Sequence, residues 1–170
     1  MAHLPGVIND VIIKLGGSEE LIGVGSITLP DVENKTEEVT GLGVGAHEVV
    51  IQGLYNSLSM TIKFLGMAKS SLVTKGKSVN LVMIAAAQGV NDSEHSLEFK
   101  KIIVTVKGAV KSSKGGEISH GGKVEPEKTL ALTYYKLEID GEVQHEIDVF
   151  NKIAIVDGEN VREVIDSILG

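Results

Sequence analysis

The strongest constraint on this chain is a period of two. Leu58, Met60, Ile62 and Phe64 alternate with Ser57, Ser59, Thr61 and Lys63. Ile102, Val104, Val106 and Val110 are offset from Lys101, Thr105, Lys107 and Lys111 in the same way, and Val143, His145, Ile147 and Val149 from Glu142, Gln144, Glu146 and Asp148. Successive strand residues leave opposite faces, so each run buries one face and wets the other, the habit of antiparallel sheets. Twenty glycines but only three prolines in 170 residues add turns and bulges to this pattern.

Further strands are expected at residues 11–15 and 21–29, joined by Gly16-Gly17-Ser18 and closed by Pro30, and from Val49 onward. Residues 79–87 are assigned as strand, although Ala85-Ala86-Ala87 on its own favours helix. Residues 129–149 form a hairpin, continued by strand over 150–156. A two-residue Asp140-Gly141 turn would set Ile139 against Glu142 and mix apolar with acidic side chains on one face. A three-residue turn, Ile139-Asp140-Gly141, sets Leu137 against Val143, Tyr135 against His145 and Thr133 against Ile147, with Gly141 left-handed. The three-residue turn is therefore expected.

Two helical segments complete the pattern. Residues 67–74 suit a short helix stopped at Gly76. Asn160 with Glu163 forms a capping-box spacing, and Val161, Val164, Ile165, Ile168 and Leu169 fall on one face that must dock on a sheet. The expected fold is a single mainly β domain over residues 1–170, an antiparallel β-sandwich or partly closed β-barrel with one or two short helices, including a C-terminal one. Residues 31–46, with Asp31, Glu33, Lys35, Glu37, Glu38, Gly41, Gly43 and Gly45, read as a long irregular loop, and loops of that length tend to be functional. Residues 112–126 read as a mobile glycine-rich loop.

Composition removes several function classes. The chain has no cysteine, hence no disulfide framework, thiolate zinc site or cysteine nucleophile. No run approaches the ~18–20 apolar residues of a membrane span. Met1-Ala2-His3-Leu4-Pro5-Gly6 lacks the basic and apolar regions of a secretory signal, so synthesis in the cytoplasm is expected. The net charge is -7, Arg162 is the sole arginine and aromatics are 4%, which argues against a nucleic-acid reader built on arginine forks and base stacking. His3, His47, His95, His120 and His145 lack metal-ligand spacing. Gly41-Leu42-Gly43-Val44-Gly45 lacks the spacing of a phosphate loop, and no Gly-x-Ser-x-Gly elbow occurs. No catalytic, metal or cofactor-binding residues, and no cofactor, are indicated. Charge is uneven along the chain, however. Residues 98–128 carry seven lysines against four glutamates, and residues 136–170 carry nine acids against three bases. Such segregation suits a surface that pairs head to tail with another copy of itself.

The residues then become recognisable. Gly25-Ser26-Ile27-Thr28-Leu29-Pro30 after an N-terminal hairpin, Thr133-Tyr134-Tyr135-Lys136-Leu137-Glu138-Ile139-Asp140-Gly141, Glu146-Ile147-Asp148 with Asn151-Lys152-Ile153, and a terminal helix together resemble the major tail tube proteins of contractile-tailed phages and related phage-tail-like bacteriocins. The resemblance follows order and spacing over nearly the whole chain, and is thinnest between Met67 and Ser96. It implies a non-enzymatic subunit that forms hexameric rings, stacked into a hollow tube inside a sheath, with a fold like the tube protein of type VI secretion. Implied partners are further copies of itself, sheath protein, baseplate and tape-measure protein, with DNA passing through without specific binding and no membrane contact. The implied location is the host cytoplasm during assembly and the virion tail, or tail-like particle, when mature.

By the same resemblance, residues 31–46 contribute contacts between rings. A bore that passes DNA must not hold a polyanion, so a neutral to acidic wall is expected. Glu142, Glu146 and Asp148 are the candidate acidic or lumen face, and Lys101, Lys107 and Lys111 the candidate basic face at a subunit contact. The alternative from a different class is a monomeric β-sandwich module binding a small ligand or carbohydrate. That reading expects an aromatic-rimmed cleft, whereas the six aromatics are scattered apart from Tyr134-Tyr135, which point to opposite faces.

Overall fold

The computed structural model describes residues 6–16, 19–20, 24–66 and 78–170. The strands are β1 (Val7–Leu15), β2 (Glu19–Glu20), β3 (Val24–Thr28), β4 (Asn34–Gly41), β5 (Val44–Tyr55), β6 (Leu58–Phe64), β7 (Ser78–Val90), β8 (Leu97–Lys114), β9 (Glu127–Ile139), β10 (Glu142–Asp148), β11 (Ile153–Val156) and β12 (Glu159–Asn160), followed by helix α1 (Glu163–Leu169). The fold is mainly β and antiparallel with a C-terminal helix, as the periodicity required. Residues 79–87 are strand within β7, because pairing to β1 and β8 overrides the local helix preference of the alanines. The helix expected over 67–74 lies outside the described residues.

One ten-stranded sheet runs β12-β11-β10-β9-β8-β7-β1-β2, and β3 and β6 branch from β9. The branch point is Thr133. On one side of it β9 pairs with β6, ending at Leu58 opposite Leu132, and on the other it pairs with β10, starting at Asp148 opposite Tyr134. Thr133 bulges out of the β8 register, which runs Lys107 to Tyr134 and then Gly108 to Leu132. Its carbonyl accepts Val149 N at 3.1 Å, and its hydroxyl donates to the Lys107 carbonyl at 3.4 Å. A bulge bends its strand and sharpens the local twist. Here it curls β6 over β7 and β8 instead of continuing a flat sheet.

The core lies inside that curl. Leu58, Met60, Ile62 and Phe64 of β6 pack with Val79, Leu81 and Met83 of β7, Val104 and Val106 of β8, Leu130, Leu132 and Tyr135 of β9, Ile147 and Ile13. Met60, Ile62, Leu81, Leu130 and Val106 are all under 2% exposed. Met60, Ile62, Val106 and Ile147 are apolar positions of the period-two runs, whereas Val149, at the end of the third run, is 59% exposed.

Residues 31–46 differ from expectation. From Asn34 onward they are not an irregular loop: β4 and β5 form a two-stranded ribbon separate from the large sheet. Its end is a two-residue Leu42-Gly43 turn with Gly43 at φ +79°. The glycines supply the turn, and Thr36, Val39, Val44, Val49 and Val50 suit strand. Every residue from 35 to 50 is exposed. Between Lys114 and Glu127 the chain is irregular, with one turn near His120, so the segment expected to be a loop carries no regular element beyond the end of β8.

The β9–β10 turn is also corrected. Ile139 pairs with Glu142 across a two-residue Asp140-Gly141 turn, with φ +50° and +83°. Both central residues are left-handed, the geometry that matches strand twist and favours Asp-Gly. Gly141 is left-handed as expected, but the conflict of faces is resolved elsewhere. An extra residue, Gln144, sits between Val143 opposite Glu138 and His145 opposite Leu137. Alternation is broken once, after which His145 and Ile147 return to the core side. Asp140 fastens the turn to β8: its carboxylate accepts Lys101 N and its own N–H donates to the Lys101 carbonyl, both at 2.9 Å.

Helix α1 is shorter and less embedded than its apolar spacing implies. Asn160 Oδ1 accepts Arg162 N at 3.1 Å, and the helix begins at Glu163 without a side-chain cap. None of its residues is buried, and Val164, Ile168 and Leu169 are 70–77% exposed. It rests beside β5 through Arg162 and Ile165, which occupy the space over Gly53. Gln52 Nε2 donates to the Val161 carbonyl at 3.4 Å.

Candidate assembly surfaces

Cross-strand partners share a face, so the ladder register shows which candidate residues lie together. Lys107 is opposite Tyr134, Asp148 is opposite Tyr134 on its other side, and Glu146 is opposite Lys136. Lys101, Lys107, Tyr134, Lys136, Glu138, Glu146 and Asp148 therefore share the face away from the core. Glu142 does not belong with them. It pairs with Ile139, and the Gln144 bulge places it on the opposite face from Glu146 and Asp148. The expected three-residue acidic face is thus a pair. Lys111 is likewise displaced: it is the extra residue between Val110 opposite Leu130 and Ser112 opposite Thr129.

The separation of an acidic from a basic surface also fails at this point. Lys107 Nζ lies 5.1 Å from the centroid of the Tyr134 ring, and the Tyr134 hydroxyl donates to Glu146 at 3.2 Å. Burial, reinforced by the Glu146 charge, raises the Tyr134 pKa, keeping the phenol a donor. Lys136 is paired with Glu138 at 3.1 Å. Opposite charges distant in sequence become neighbours once β8, β9 and β10 are laid side by side.

Asp148 has a local task. Its Oδ1 accepts the N–H groups of Phe150 and Asn151, each at 3.1 Å, and its Oδ2 accepts Asn151 Nδ2 at 2.7 Å. These bonds hold the four residues between Asp148 and Ile153, and Phe150 at the top of the turn is 76% exposed. The Asn151 side-chain bond, then the backbone bonds and Lys107, hold the carboxyl below its ordinary pKa. The unfolded chain has the ordinary value, so this stabilisation is fully present above that value and disappears as pH falls through the lowered one. Asp148→Asn is expected to cost about 1 kcal/mol and to flatten the acid side of the stability profile. Thermal melts from neutral to acidic pH check it, and an unchanged acid limb would refute the role given to Asp148.

The remaining polar candidates are structural. His145 is half-buried, stacks on Tyr135 with centroids 6.4 Å apart, and accepts Asp157 N at Nδ1 at 3.4 Å. No group of three metal-ligating side chains occurs among the described residues. Tyr135 is 2% exposed and faces the core, whereas Tyr134 lies on the polar face. The pair forms no aromatic rim.

The ribbon is the feature that sequence reasoning located without giving it a shape. Val39, Leu42, Val44, Val49 and Val50 are 41–106% exposed on it, and its eight-residue first strand extends about 25 Å. An isolated two-stranded ribbon is marginal in water, and exposed apolar side chains on this scale mark a contact surface. Two further exposed apolar groups were not singled out from sequence. One is Phe150 with Val149. The other is a shallow groove on the outer face of β1, β7 and β8, where Ile12, Ile84 and Phe99 lie between Asp10 and Lys101.

Comparison with known proteins gives consistent results. The family model described as Phage tail tube protein FII matches residues 5–170. The tail tube protein of Escherichia phage P2 is 30% identical over 136 residues, covering 78% of each chain. The major tail tube protein of Serratia phage KSP20 is 24% identical over 158 residues, covering 93% of this chain and 91% of its own. In fold, the chain is similar to the sheath/tube terminator of an extracellular contractile injection system in its extended state. The TM-score is 0.54 at 14% identity, over 79% of this chain and 97% of that one.

Proposed function

Because the chain belongs to the phage tail tube protein FII family, we propose that it forms hexameric rings which stack into the hollow inner tube of a contractile tail, within a sheath, as a conduit for DNA. The observation that carries this reading is the ribbon of β4 and β5, exposed at every residue from 35 to 50. It has no core of its own, so its apolar side chains gain burial only against another molecule, and in a stack of identical rings that molecule is a further copy. Asp31, Glu33, Lys35, Glu37 and Glu38, with the turn region at Gly41, Gly43 and Gly45, form the inter-ring contact. Sheath, baseplate and tape-measure protein are the other partners, and the particle matures from assembly in the host cytoplasm.

The conduit also constrains charge. A bore lined by free lysines would exchange counterions for DNA and hold it. In this subunit Lys107 lies over Tyr134, and Lys136 is paired with Glu138. Lys101 remains the member of the basic set placed at a subunit contact. Negative-stain microscopy of the purified protein is expected to show hollow rings and tubes. Strictly monomeric particles across salt and pH would overturn the reading.

A further inference from the structure

The two ends of the large sheet differ in charge and in shape. Strands β1, β7 and β8, toward one end, carry six lysines against Asp10 and Glu98, whereas residues 142–170, at the other end, carry seven acids against Lys152 and Arg162. The positive half holds the apolar groove of Ile12, Ile84 and Phe99, rimmed by Asp10 and Asp140 as well as by Lys100 and Lys101, with Ile12 44% and Phe99 64% exposed. Neither the Lys100 nor the Lys101 ammonium group has an ion-pair partner among the described residues. The negative half holds Phe150, raised on the turn that Asp148 locks.

We infer that Phe150 is the anchor of the contact within a ring, inserting into the Ile12–Ile84–Phe99 groove of a second copy of this chain. The inference rests on the ring reading above and adds the residues that close the ring. A knob at one end of the sheet and a groove at the other make a heterologous contact, the kind that closes into a ring when repeated. Oppositely charged halves favour this orientation and disfavour knob-to-knob pairing. The Asp148 bonds fix the turn in advance, so little loop ordering remains to be lost on contact, and a buried aromatic in a pocket is the usual form of an energetic centre. Phe150 stands at the level of Thr133 and the groove at the level of Asp140. The copies therefore meet with a stagger along their strands, as sheet closure requires.

The chain has no cysteine, so an introduced pair reports alone. Phe150→Cys mixed with Ile12→Cys is expected to give a disulfide-linked dimer on oxidation, and the double variant a ladder ending at the closed ring. Phe150→Ala is expected to keep the wild-type melting temperature and lose at least 90% of ring yield in sedimentation. Wild-type rings with no cross-link and an unimpaired Phe150→Ala would overturn the contact while leaving the ring reading intact. Absence of rings in the wild type would remove both. A Phe150→Ala protein that fails to fold would refute the assignment of Phe150 as a purely external anchor.

Discussion

Gly108→Val is expected to produce a subunit that is unfolded or melts far below wild type. Gly108 stands in β8 opposite Leu132, beside the Thr133 bulge, where β9 comes close. A Cβ at this position would overlap the Ala131 carbonyl oxygen and crowd the Leu132 Cα, both of them backbone atoms in the middle of a paired strand. Backbone held by hydrogen bonds on two sides cannot swing aside as the end of a flexible side chain can. The penalty is therefore at least that of severe overpacking, about 3 kcal/mol, or near 10 °C in Tm for a domain of this size. Alanine, which carries the same offending Cβ, should share most of the loss. Gly115→Ala is the control, because nothing lies within 4 Å of its added Cβ. Circular dichroism melts of the three proteins check this. Equal melting of Gly108→Val and wild type would mean that the close approach at the branch point is absent in solution.

What the sequence disclosed, and what it concealed, follows from which surfaces each segment touches. Strand β6 was legible because one face is wholly in the core and the other is not, so burial alternates as Leu58, Met60, Ile62 and Phe64. The outer part of the β4–β5 ribbon, before the strand expected from Val49, was not, because with both faces exposed there is no reason for apolar and polar residues to alternate, and its glycines look like flexibility. The β10 register was misjudged for a subtler reason. Alternation arguments assume an unbroken pleat, and Gln144, which opens the bulge, has no residue character that announces it.

The terminal helix shows a different limit. Val164, Ile168 and Leu169 have the spacing of a docked face, yet they remain exposed in the single subunit. Periodicity reports that a face is apolar without reporting whether its partner lies in the same chain. Charge segregation behaves similarly. The basic run at residues 98–128 and the acidic run at 136–170 neutralise each other partly within the subunit, through the Lys107, Tyr134 and Glu146 cluster. What remains unpaired lies toward the ends of the sheet, and it is this remainder that bears on assembly.

Excising the ribbon is expected to abolish the stacking of rings while leaving the fold of the core and the closure of single rings intact. Asn34 pairs with Tyr55, and Asn56 N donates to the Glu33 carbonyl at 2.8 Å, so the base of the ribbon is already closed. Replacing residues 35–54 with a short Gly-Ser turn keeps these pairs. Removing only 33–43 would leave β5 as an unpaired edge, an aggregation hazard. The core residues on β6 through β10 are untouched, so the shortened subunit should melt close to wild type. The excision also removes Gly53 and Gln52, the rest for Arg162 and α1, which should fray the helix by a local loss of about 1 kcal/mol. If the ribbon links rings, the shortened protein should still form single rings through the lateral contact but no tubes, whatever the protein concentration. Sedimentation and microscopy distinguish these products. Tubes of normal length from the shortened subunit would show that stacking depends on another surface, and loss of both rings and tubes with an intact melt would place the ribbon in the lateral contact instead.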